Sequence, residues 1–148
     1  MPGLVAIRHA TDDDVCFMTD VFLRAMQTHI TATRGYWNEA KEQAQFHEQL
    51  QLPHTRIVEH EGMRVGFFMT IERGQDIELH TLCIAPVHQR HGLGTVLMGQ
   101  LVGDALARKR GLVLSVLKVN TAARSFYARL GFVLTDESAH HYRMRRAT

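Results

Sequence analysis

Residues 76–99 read DIELHTLCIAPVHQRHGLGTVLMG, and this stretch decides the fold. Ile77, Leu79, Leu82, Cys83 and Ile84 supply the β-branched and bulky apolar residues of a strand. Pro86 stops it, because proline has no N–H to give a sheet ladder. A short polar loop then leads to Gly92-Leu93-Gly94. From Thr95 onward Val96, Leu97, Leu101, Val102, Ala105 and Leu106 recur at helical spacing. The loop delivers a glycine-rich turn into a helix N-terminus, where free N–H groups and the helix dipole favour an anion such as pyrophosphate. Glycine there lets a ligand approach the backbone closely. A P-loop is excluded, since no lysine follows these glycines, and a dinucleotide fingerprint is excluded by Leu97 where a third glycine is needed. What remains is Gln89-x-x-Gly92-x-Gly94 after a strand.

Upstream, Leu4–Arg8 reads as a first strand. Thr11 caps a helix whose first turn carries Asp12, Asp13 and Asp14, favoured there by the dipole, with Val15, Met18, Val21, Phe22, Ala25, Met26 and His29 facing inward. Thr33-Arg34-Gly35 breaks it, and a more polar helix runs from the Asn38 cap to Leu50. Strands at Thr55–Glu59 and Val65–Glu72 join at Glu61-Gly62. Downstream, the helix ends at Gly111 and Leu112–Leu117 forms a buried strand. Asn120 caps a short helix that Gly131 terminates, and residues 132–134 and 141–144 close the chain as a hairpin. The order β-α-α-β-β-β-α-β-α-β-β predicts one α/β (α+β) domain over 1–148, with a mixed sheet and helices on both faces.

Composition narrows the function classes. The 148 residues, 45% hydrophobic and 22% charged, suit one globular domain with a real core. Seventeen basic and fifteen acidic residues give a net charge of +2, too balanced to point to nucleic acid or membrane. No run approaches the ~20 apolar residues of a membrane span, and no leader-like stretch opens the chain, so a cytoplasmic protein is expected. Cys16 and Cys83 both sit in apolar patterns and read as core thiols.

Leu114-Ser115-Val116-Leu117-Lys118-Val119-Asn120, followed by Ala123, Tyr127 and Gly131-Phe132, completes the pattern begun at Gln89. Together these two motifs resemble those of the GNAT superfamily of acetyl-CoA-dependent N-acyltransferases, over about residues 77–133. The resemblance implies a mostly antiparallel sheet of six to seven strands with a V-shaped split between the fourth and fifth, where the pantetheine arm of acetyl-CoA lies like an added strand. Carried over by position, Leu82 and Ile84 offer main-chain groups to the arm and acetyl carbonyl. Gln89, Arg90, His91, Gly92, Leu93, Gly94 and Thr95 surround the pyrophosphate. Asn120 bonds the pantetheine, with Ala123 and Arg124 nearer the nucleotide. Tyr127 matches the general acid beside the CoA sulfur; the alternative is a core aromatic next to Leu130 and Phe132.

A base is less defined. Glu78 and His80 alternate onto one face of the central strand, where arylalkylamine acetyltransferases carry a pair of histidines and near the carboxylate of histone-type members. Either one, or water alone, takes the ammonium proton; otherwise Glu78 binds a cationic substrate and His80 is a satisfied polar residue. The resemblance puts the acceptor at residues 28–42 and 137–142. Trp37, the sole tryptophan, sits there with Tyr36 as a binding wall or as packing for the second helix. Glu39 and Glu42 either attract an amine or serve the helix dipole.

His47-Glu48 and His60-Glu61 lack the second histidine of a zinc-protease motif, and His140-His141 read as hairpin histidines pointing to opposite faces. No metal is expected. The basic residues Arg143, Arg145 and Arg146 read as an edge strand, and Cys83 as core rather than nucleophile. The expected activity is acetyl transfer from acetyl-CoA to a primary amine of a small molecule or a peptide N-terminus, by a monomer or homodimer. The alternative is a non-catalytic acyl-CoA sensor.

Overall fold

The structure, a computed structural model, describes residues 5–89 and 91–147, so Leu4 and Arg90 lie outside it. Seven strands form one sheet: β1 (Ala6–His9), β2 (Thr55–His60), β3 (Met63–Arg73), β4 (Asp76–Ile84), β5 (Gly111–Leu117), β6 (Val133–Glu137) and β7 (His141–Arg146). Helices α1 (Val15–Arg34) and α2 (Glu39–Gln49) lie between β1 and β2 in the chain; α3 (Leu93–Ala107) follows β4, and α4 (Thr121–Arg129) follows β5. The strand order is β1-β2-β3-β4-β5-β7-β6, antiparallel except for β4 with β5. This is the mixed, mostly antiparallel sheet expected.

Period-two alternation sends neighbouring residues into two cores. Ile57, Phe67 and Cys83 pack with Met18, Val21 and Phe46 of α1 and α2. Val58, Phe68, Ile77 and Leu79 pack with Leu97 and Met98 of α3 and Tyr127 of α4 on the other face. Where β3 meets β4, Met69 pairs with Thr81 but Thr70 pairs with Leu79, so His80 is an extra residue, a β-bulge. The simple alternation that put Glu78 and His80 on one face is therefore broken at His80. Gly66 allows the close approach just beyond: a Cβ there would stand 2.3 Å from the Cys83 carbonyl oxygen.

Several placements differ from the sequence reading because they depend on distant partners. Cys16 is exposed, since it lies two residues from the buried Met18 and thus on the outer side of α1. β7 is interior, between β5 and β6, rather than an edge. Its arginines are spent inside the sheet: Arg145 donates to Asp76 at 2.8 and 3.1 Å, and Arg146 donates to the Leu130 carbonyl at 2.9 Å.

Asp14 is more than a helix-dipole residue. Only 2% exposed, it accepts from Arg8 at 2.8 and 2.9 Å, from Arg64 at 3.2 Å and from the Thr11 N–H at 2.9 Å. One carboxylate thus ties β1, the turn before α1, and β3 together. The Arg8 hydrogen bonds hold it well below the usual carboxylate range, against the opposing effect of burial. A depressed folded-state pKa contributes stability fully above the unfolded value of about 4, and that contribution is lost as pH falls below it. Asp14→Asn should therefore cost about 2 kcal/mol in urea unfolding at pH 7. The difference from the native protein should begin to shrink near pH 5 and keep shrinking as pH falls below about 3.

Candidate active site

The β4–β5 ladder runs from Asp76 opposite Gly111 to Leu79 opposite Leu114 and stops there. β4 continues to Ile84 against β3, and β5 continues to Leu117 against β7. The two strands therefore part at the His80 bulge, leaving facing backbone edges unpaired. The Ala85 N–H donates to the Val65 carbonyl at 2.8 Å on the β3 side. The trans peptide turns the adjoining Ile84 carbonyl the opposite way, toward the split. There the Gln89 side-chain amide donates to it at 2.9 Å.

Gln89, read from the sequence as part of the anion loop, commits one side-chain N–H to the Ile84 carbonyl and its backbone N–H to that of Pro86 at 3.2 Å. It clips the loop to the strand end. The turn itself is as expected: Gly92 has φ +78°, a left-handed conformation that disfavours any side chain. α3 begins at Leu93, two residues earlier than the apolar spacing indicated. Its first helical bond is Val96 N–H to the Gly92 carbonyl at 3.1 Å, so the N–H groups of Leu93, Gly94 and Thr95 have no intrahelical acceptor. Among the described residues no side chain caps this end and its first turn has no acid, in contrast to the Asn caps of α2 and α4. His91 and Thr95 are exposed beside it, while the Leu93 side chain is buried.

A cleft of about 630 Å³ opens from the split toward α1 and α2. Of the residues singled out from sequence, Glu78, His80, Leu82, Asn120, Ala123 and Tyr127 line it. Ile84, Gln89, His91, Gly92, Leu93, Gly94, Thr95 and Arg124 lie outside its wall, around the loop and α4. Trp37 does not line it either; its neighbour Tyr36 accepts from Lys41 of α2 at 3.3 Å. Asn120 caps α4, its Oδ1 accepting the Ala123 N–H at 3.1 Å. Arg124 stacks on Tyr142 at 4.3 Å.

Tyr127 is 9% exposed, edge-on to Phe132 at 5.6 Å between ring centroids, and its hydroxyl bonds to no described residue. Burial pushes the phenol above its ordinary range, so it keeps its proton. The Cys83 thiol, buried in the cleft floor, is pushed up to about 12 by the same cause. Glu78 is ion-paired, its Oε1 accepting from Arg73 at 2.5 Å with Arg143 at 3.9 Å. His80 shares a hydrogen bond between Nδ1 and Thr81 Oγ1 at 2.9 Å and is otherwise exposed.

Glu42, weighed from the sequence as an amine attractor, also lines the cleft. Gln45, Phe46 and Gln49 of α2 line it too and were not singled out, although the i, i+3, i+4, i+7 spacing of the four marks one helical face that could have been read. His140 and His141 also line it, and burial, then His140, holds His141 below its usual range and favours the neutral ring. Among the described residues no group of three or more ligating side chains is placed to hold a metal ion, and no helix is long and apolar enough to cross a membrane.

The sequence model of the acetyltransferase (GNAT) family matches residues 22–132. The chain belongs to the GNAT acetyltransferase family. The 5-NmdU N-acetyltransferase of Pseudomonas phage PaMx11 is 38% identical over 84 residues, which are 55% of this chain and 59% of that protein. The chain thus spans a little over half of that relative's length. The PaiA N-acetyltransferase of Thermoplasma acidophilum, solved in complex with coenzyme A, superposes with TM-score 0.73 over 99% of this chain and 100% of that one, at 18% identity. The ribosomal-protein-S18-alanine N-acetyltransferase of Escherichia coli superposes with TM-score 0.66 over 97% and 93%, at 20% identity. At these identities the superpositions show the shared fold.

Absorbance titration near 295 nm should separate the tyrosines. A late step removed by Tyr127→Phe should belong to the buried phenol. A Tyr127 step at about pH 10 would contradict the burial described.

Proposed function

We propose that this protein is an N-acetyltransferase that moves an acetyl group from acetyl-CoA to a primary amine by direct attack in a ternary complex. The observation that carries the reading is the parting of β4 and β5 after Leu79 and Leu114, next to an uncapped helix N-terminus and a protonated tyrosine. The fit is chemical. The N–H groups of Leu93, Gly94 and Thr95 suit a pyrophosphate. The N–H groups of Leu82 and Ile84 on the inner edge of β4 suit an extended amide arm, with Asn120 lining the same cleft after β5. When bound, acetyl-CoA supplies the activated thioester.

The chain's residues then divide the proton work. Tyr127, kept neutral by burial, gives its proton to the leaving sulfur as the new C–N bond replaces the C–S bond. His80 is the better base of the two sequence candidates: Glu78 is held by Arg73, whereas His80 keeps Nε2 free on the bulge where the strands part. His141, with its neutral ring favoured, is the second candidate for the same proton. The intact Tyr127 and these histidines favour an enzyme over a sensor.

Calorimetric titration with acetyl-CoA, followed by thiol release across an amine panel, tests the reading. Binding with release for at least one amine is the expected result; absence of binding would overturn the assignment of the α3 turn. Tyr127→Phe should lower kcat by roughly 10²-fold while leaving acetyl-CoA affinity unchanged. Gly92→Ala should instead weaken acetyl-CoA binding, at a cost of about 1 kcal/mol in the turn. Thiol release at saturating amine should fall in His80→Gln and persist in His141→Gln. The reverse would move the base to the hairpin.

A further inference from the structure

The acceptor end of the cleft has a composition that discriminates among amines. Phe22, Met26, Ile30 and Arg34 line it at four-residue intervals, so one face of α1 presents three apolar side chains and ends in a guanidinium. Phe46 faces them from α2, stacked on Phe22 at 4.7 Å. Beside Arg34 stands Glu42, only 4% exposed, accepting from Arg34 Nη1 at 2.6 Å. That is the one hydrogen bond Arg34 makes among the described residues, and its side chain remains 39% exposed. The Nε–Nη2 edge therefore has no partner among the described residues, a two-donor fork in a wall where Gln45 and Gln49 stand beside the apolar side chains.

Charge then decides what the fork takes. The two carboxylates of the cleft, Glu42 and Glu78, are each held by an arginine. A polyamine or aminoglycoside would find no unpaired carboxylate to balance its extra charges. An acceptor carboxylate would bring a second negative charge beside the buried Glu42. A neutral carbonyl oxygen accepts from the fork with neither penalty.

We infer that the acceptor is a monoamine with an apolar, uncharged body and a carbonyl oxygen that Arg34 recognises, oriented by Glu42. This rests on the transferase reading above and names the substrate class of the same site.

Steady-state thiol release with acetyl-CoA tests it on four commercial amines: phenylalaninamide, phenylalanine, phenethylamine and spermidine. The native protein should show the lowest KM for phenylalaninamide. Arg34→Lys keeps Glu42 neutralised but removes the fork; it should raise that KM about tenfold, with kcat and phenethylamine KM within about twofold. If Arg34→Lys does not fold, the pair Arg34→Met with Glu42→Met, which leaves no uncompensated buried charge, is read by the same criteria. A native KM for phenylalanine, spermidine or phenethylamine as low as that for phenylalaninamide, or equal shifts for all four, would overturn the inference. Turnover that ignores Arg34 defeats this inference alone. Failure to bind acetyl-CoA defeats the transferase reading and this one with it.

Discussion

Everything at the site depends on two parallel strands ceasing to pair. A sheet edge normally satisfies its N–H and C=O groups against a neighbour, and an unpaired edge inside a protein carries a cost. Here the cost is concentrated in a few residues. The outer edge of β4 stays paired with β3 and that of β5 with β7, so only the facing edges beyond Leu79 and Leu114 are left open. The bulge at His80 marks the point of departure, and the Gln89 amide relieves the Ile84 carbonyl that would otherwise be exposed at the split. Rigid strands therefore frame a slot whose vacant groups are backbone groups.

Arginine supports this architecture away from the slot. Asp14, Glu42, Asp76 and Glu78 are each met by a guanidinium, and all but the Arg73–Glu78 pair join segments that backbone hydrogen bonds do not. The Arg145–Asp76 pair carries this furthest, because it reaches from β7 across β5 to the start of β4, the strand that must stay in place while its far end diverges. The fork geometry of arginine, with its permanent charge, suits such half-buried ties better than lysine would.

Local signals carried most of the fold. Pro86 ends a strand, Asn38 and Asn120 cap helices with measurable bonds, and Glu61-Gly62 turns a hairpin; each effect acts within a few residues. The paired motifs around Gly92 and Asn120 gave the family and the split for the same reason. Long-range partners were not legible. Nothing near Glu78 announces Arg143, nothing in Arg143–Arg146 says that β6 will cover them, and a bulge at His80 arises from the register of β3, ten residues earlier. Cys16 failed differently: composition favoured burial, and helix phase decided otherwise.

The thiol of Cys83 has a consequence for chemoselectivity. It lines the compartment in which a thioester donor would meet its amine, and a thiolate there would be a rival nucleophile, diverting the acyl group into transthioesterification of the protein itself. Sulfur attacks as the thiolate, and with its pKa pushed to about 12 the side chain stays protonated at neutral pH. On the proposed chemistry, burial disarms a competitor of the amine while leaving a small apolar side chain in the cleft floor.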